Sequence, residues 1–117
     1  MNIVKSFEWV IFVNGHTGVS EEFLAKVDTG AYSSSIDEQL AERLGLEKKS
    51  ELRTVRSALG EQERETVLGI ITLTTTPVTL PISFSVADRS HLKYPILLGR
   101  KDLVGFLVEI LEYKPKE

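Results

Sequence analysis

Apolar residues fall along this chain in short runs and period-two stretches, not in long helical stripes. Phe7 to Val13 is nearly all apolar and rich in β-branched and aromatic types, which predicts a strand covered on both faces. Asn14-Gly15 is a strong turn signal and Gly18 lengthens the loop, so Glu21 to Asp28 reads as the second arm of a hairpin. After Gly30 the period changes. Ile36, Leu40 and Leu44 recur at helical spacing, Ser35-Ile36-Asp37-Glu38 has the form of a capping box led by Ser35, and Gly45 stands where the helix should stop.

Leu52 to Val67 alternates weakly, carries many charges and has Gly60 in its middle, which predicts an exposed hairpin. Two readings fit it equally: a mobile hairpin that closes over a ligand, or an ordinary exposed one. Leu68 to Leu73 reads as a separate apolar strand with Gly69 as a bulge or a point of close approach, and Thr74 to Pro77 turns the chain. The threonine run is read as strand propensity. Val78 to Ala87 is the cleanest alternating strand, with Pro81 pointing to a position near an edge. Tyr94 to Gly99 is an apolar strand, Arg100 to Leu103 a short helical turn, and Phe106, Val108 and Ile110 mark a last strand before the charged tail Lys114 to Glu117. The sum is an all-β, barrel-like domain with one or two short helices.

A chain of 117 residues has room for one core, so residues 1–117 are read as one domain. The net charge of −3 argues against a nucleic-acid surface, and no stretch has the length of a membrane span or the form of a secretion signal, which points to the cytoplasm. With no cysteine, thiolate zinc sites are excluded. His16, and the Asp88 and His91 pair, lack further partners at ligand spacing, so no metal or other cofactor is expected.

Candidate chemistry concentrates at Asp28-Thr29-Gly30-Ala31. A carboxylate where an apolar strand ends has rigid backbone behind it and space in front, and Gly30 lets another backbone approach. The same tripeptide also suits an ordinary turn. An apolar strand running into Asp-Thr-Gly-Ala, then a glycine-tipped polar hairpin, then Ile96-Leu97-Leu98-Gly99-Arg100, resembles the retropepsin-like aspartic proteases over Phe7 to Ile110. Among these the chain is most similar to small prokaryotic proteins labelled ATP-dependent zinc proteases. It has no His-Glu-x-x-His to match the zinc in that label.

The resemblance implies a retropepsin-like closed barrel with one lobe per chain. In it Asp28 is catalytic, Thr29 braces the second copy of the triplet, and Gly30 contacts substrate backbone. Substrate contacts are implied at Ala31, at Arg56, Ser57, Ala58, Leu59 and Gly60 of a flap, and at Leu98 beside the catalytic loop. An ATP-grasp ligase is a further partner that the resemblance brings with it. One departure stands out: where many retroviral members carry an acid that pairs with the late arginine, this chain has Tyr32, so Arg100 must find another partner.

Hydrolysis of a peptide by carboxylates alone needs an acid and a base around one water. With one Asp-Thr-Gly per chain, an aspartic endopeptidase would have to be a homodimer in which Asp28 meets its own copy. Ile3-Val4 and Phe106 to Leu111 are candidates for the dimer strands, and core packing explains them equally. The alternative function is a catalytically idle binding or dimerisation module on the same fold.

Overall fold

The computed structural model describes residues 1–58 and 60–111, and strands are their main regular structure. In chain order the strands are β1 (Asn2–Lys5), β2 (Phe7–Val13), β3 (Ser20–Asp28), β4 (Ser35–Asp37), β5 (Glu47–Ser57), β6 (Gly60–Leu73), β7 (Thr79–Ala87), β8 (Ile96–Gly99) and β9 (Phe106–Glu109). One α-helix, α1 (Glu38–Arg43), follows β4, and a single 3-10 turn spans Arg100–Leu103. β1 and β9 form a parallel two-stranded sheet. The other seven strands form one sheet in the order β2-β3-β8-β4-β7-β6-β5. A further antiparallel pairing of β2 with β6, Val10 to Phe12 against Ile71 to Leu73, curls that sheet back on itself and leaves β5 outside. The all-β expectation therefore holds, as a curled sheet wrapped on its own apolar face.

Alternation builds the core. Val10 and Phe12 of β2, Ala25 and Val27 of β3, Ile71 and Leu73 of β6, Ile82 and Phe84 of β7, and Ile96 and Leu98 of β8 all turn inward. Phe12 packs on Phe84 with ring centres 6.0 Å apart, and a side chain at Gly69 would meet Phe84 at 2.7 Å. Gly69 is thus a point of close approach.

Several expectations change in detail. β2 buries one face fully and the other only in part, with Val13 exposed. The helix does not begin at Ser35. That residue pairs with β7 and β8, so its backbone is committed to the sheet, and Asp37 caps α1 by accepting from the Leu40 amide at 3.3 Å. Leu68 to Leu73 is not a separate strand but the far half of the long β6. The threonine run lies in a turn and serves a buried acid. Glu8, 1% exposed, accepts from the amides of Lys5 and Thr75 at 2.9 Å, and from the amide and hydroxyl of Thr74 at 3.0 and 3.1 Å. A buried carboxylate needs such partners, and these ones tie the entry of β2 to the end of β6. The charged tail Lys114 to Glu117 lies outside the described residues.

Candidate active site

The site is built where the chain crosses itself. β3 runs parallel to β8, with Asp28 opposite Gly99, and β4 then pairs with the other edge of β8. Residues 29–34 must therefore pass over the end of β8 to reach β4. The crossing is tight: a Cβ on Gly99 would sit 2.4 Å from the Ser33 carbonyl carbon and 2.6 Å from its oxygen, closer than any side chain permits. Ser34, fully buried, bonds the crossing from below. Its hydroxyl accepts from the Gly99 amide at 3.0 Å and donates to Asp102 at 2.6 Å. The amides of Arg100 and Lys101 donate to the carbonyls of Ala31 and Tyr32 at 3.0 and 2.9 Å.

This frame fixes Asp28. Its Oδ1 accepts from the Gly30 amide at 2.9 Å, and its carbonyl accepts from the Ala31 amide at 3.1 Å. The side chain is half-buried, while Thr29 and Gly30 are exposed in front of it. A carboxylate held from one side by a backbone amide, with an open face, can accept a proton from water and bond a second acid.

Arg100 has found its partners without an acidic neighbour. Its Nη1 donates to the Thr29 carbonyl at 3.1 Å, and its guanidinium lies over the Tyr32 ring, 5.5 Å from the centroid. The Lys101 ammonium reaches the same ring at 5.9 Å. Tyr32, 65% exposed, thus presents one aromatic ring to two cations.

The hairpin of β5 and β6 arches beside the site, paired from Glu47 opposite Leu68 to Ser57 opposite Gly60, with one irregularity between Lys49 and Leu52. A cleft of about 490 Å³ brings Gly30, Ala31 and Ser33 of the crossing loop together with Thr54, Val55 and Arg56 of β5 and with Arg100. Of the residues expected from the sequence, Gly30, Ala31 and Arg56 line this space, and Asp28 is joined to it through the Gly30 amide. Ala58 and Gly60 are exposed at the hairpin end, Ser57 is the last residue of β5, and Leu59 lies outside the described residues. Leu98 is fully buried and pairs with Val27, so it belongs to the wall behind Asp28 rather than to the surface in front of it.

Two participants were not anticipated. Ser34 holds the crossing, and Arg89 sits beside it, its Nε donating to the Tyr94 carbonyl at 3.0 Å and its Nη1 to the Ser35 hydroxyl at 3.3 Å. Burial lowers the pKa of Arg89, and Arg64 lowers it further, while the negative charges of Asp37 and Asp28 oppose both. Nothing local marks either residue in the sequence, because each acts through partners that lie far along the chain. Among the described residues, no group of three or more His, Asp or Glu side chains is placed to hold a metal ion.

Comparison with known proteins follows the same line. The family described as "gag-polyprotein putative aspartyl protease" matches residues 13–103. Among solved structures, the chain is similar to a DUF785 protein of unknown function from Legionella pneumophila, at 21% identity and a TM-score of 0.60, over 93% of each chain. It is also similar to the protease of simian foamy virus (mac), at 15% identity and a TM-score of 0.56, over 83% of this chain and 90% of that one. A third similar structure is the retroviral protease-like domain of Ddi1 from Leishmania major, at 18% identity and a TM-score of 0.53, over 88% of this chain and 76% of the other. Identities this low speak for the fold. No curated protein matches the chain.

Proposed function

We propose, from the premise that this chain belongs to the gag-polyprotein aspartyl protease family, that it is one half of an aspartic endopeptidase that works as a homodimer. The observation that carries this reading is the placement of Asp28. It closes β3 with one carboxylate oxygen held by the amide of Gly30, a residue that lines the cleft of about 490 Å³.

The chemistry follows from two such carboxyls brought together by a two-fold axis. At hydrogen-bond distance they cannot both ionise cheaply, so the pair holds one proton. The ionised partner takes a proton from a water set between them as that water attacks the peptide carbonyl. The protonated partner donates to the carbonyl oxygen, and a proton then passes to the departing amine. Thr29 braces the second triplet, and Gly30 and Ala31 offer backbone to the substrate. Arg56 and its neighbours in the β5–β6 hairpin cover it, and the substrate is a peptide or protein.

β1 and β9 pair with each other inside one chain and bury Val4 completely. The pairing leaves Leu107 and Ile110 exposed, at 55% and 83%, beside Val104 at 82%. These apolar side chains support a contact between copies at this edge.

Asp28→Asn tests the reading. Cleavage of a peptide library should vanish while the dimer, measured by sedimentation, and the far-ultraviolet circular dichroism stay unchanged. Turnover that survives the substitution would end the proposal. Tyr32 in place of an acid would favour the idle-module alternative if it left Arg100 unheld, but Arg100 is held by the Thr29 carbonyl and the Tyr32 ring.

A further inference from the structure

We propose that the half-buried face of the β5–β6 hairpin takes an acidic side chain of the substrate, gripped between Arg53 and Arg64. This rests on the endopeptidase reading and adds the class of peptide it acts on.

The hairpin has two unlike faces. Cross-strand partners share a face, so Thr54, Arg56, Glu61, Glu63 and Glu65 lie on one side and Arg53, Val55, Gln62 and Arg64 on the other. The first face is exposed and carries its own counter-charge, Arg56 to Glu61 at 2.9 Å. On the second face Arg53, Val55 and Arg64 are half-buried, and it carries two cations and no acid. Arg53 and Arg64 are direct partners across the ladder, a placement that repels. Among the described residues the Arg53 Nη1 is shut off from solvent with no hydrogen-bond partner. Arg64 spends its Nε on Gln62 at 3.1 Å, a neutral group. A buried guanidinium donor left unpaired beside a second cation is a site short of an anion.

The acids nearby are either engaged or exposed to solvent. Asp37 caps α1 and accepts from the Arg89 amide at 2.8 Å, and Asp88 accepts from the amide and hydroxyl of Ser90 at 3.0 and 2.6 Å. Glu63 and Glu65 flank Arg64 along β6 and line a cleft with it and with Asp88, and both are exposed. Glu38 lines that same cleft, which is separate from the one at the crossing loop, and is exposed too. Arg89 adds a third cation, fixed to Ser35 and Tyr94 and within electrostatic reach of both Arg64 and Asp28. Within a peptide, the group that suits planar guanidinium donors is a carboxylate, so a glutamate or aspartate near the scissile bond is the fitting occupant.

The experiment compares matched peptides that differ only by Glu or Gln at each position around the cleaved bond. The readout is the ratio of kcat/KM values, with binding to the Asp28→Asn protein measured by calorimetry in parallel. At one position Glu should be preferred by about tenfold or more, the size expected of a charge-assisted pair. The ratio should fall to about one in Arg53→Gln combined with Arg64→Gln. Arg53→Lys, which keeps the charge, should retain part of the preference. Cleavage with no preference at any position, or a preference that survives the double substitution, overturns the proposal and leaves the endopeptidase reading standing. If no peptide is cleaved, Glu-dependent binding that is lost with Arg53 and Arg64 supports the acidic ligand while the endopeptidase reading fails. Equal binding of both peptides overturns the acidic ligand as well.

Discussion

The crossing loop at Asp28 and the β5–β6 hairpin face the same cleft but are held by opposite means. The loop is locked by contacts distant in sequence: Gly99 against Ser33, Ser34 between Gly99 and Asp102, and the amides of Arg100 and Lys101 on Ala31 and Tyr32. Toward its end the hairpin is held by its own ladder and one exposed ion pair. On the proposed reading, a group that must meet its twin within hydrogen-bond distance needs a fixed seat, whereas a cover over substrate needs few buried contacts so that it can open. Substitutions in the loop should therefore act on stability or chemistry, and those in the hairpin mainly on substrate binding.

The largest effect is expected at Asp28 itself. Asp28→Asn should lower kcat by at least about a hundredfold while the unfolding midpoint in urea barely moves, since it removes an acid–base group without changing volume. Gly99→Ala comes next. Its methyl group has no space against the Ser33 backbone, and a loss of about 3 kcal/mol in urea unfolding is expected. Ser34→Ala should cost about 1–3 kcal/mol, because the buried Gly99 amide loses its acceptor and Asp102 its donor.

Hairpin substitutions are expected to be milder. Gly60 has a φ of +113°, and a Cβ there would meet nothing within 4 Å, so Gly60→Ala should cost only backbone strain, about 1 kcal/mol. Its main effect should be a raised KM in steady-state assays. Arg56→Ala breaks a pair whose side chains are 83% and 59% exposed, and the midpoint should shift by no more than about 0.5 kcal/mol. A hairpin change that unfolded the protein, or a loop change that altered KM alone, would break the comparison.

Much of the fold was legible because strand periodicity is local. The hairpin after Asn14-Gly15, the alternation through β7, the apolar β8 and the 3-10 turn at Arg100 all follow from neighbouring residues. The helix boundary was not legible. Ser35 and Asp37 are both good caps, and only pairing of Ser35 with β7 and β8 decides between them. The role of Glu8 was not legible either, since one acid in an apolar run gives no sign that Thr74 and Thr75 will satisfy it.

The sequence by itself determined an all-β chain with one Asp-Thr-Gly at a strand end, because side-chain period and turn chemistry depend on residues a few positions apart. Only the tertiary structure decided that β8 lies between β3 and β4, that Tyr32 turns its ring to Arg100, and that Arg53 faces Arg64 with a donor unpaired. Those facts depend on which distant segments pair and in what register. A shift of one residue would turn every side chain to the other face, so the pattern of a single strand does not contain them.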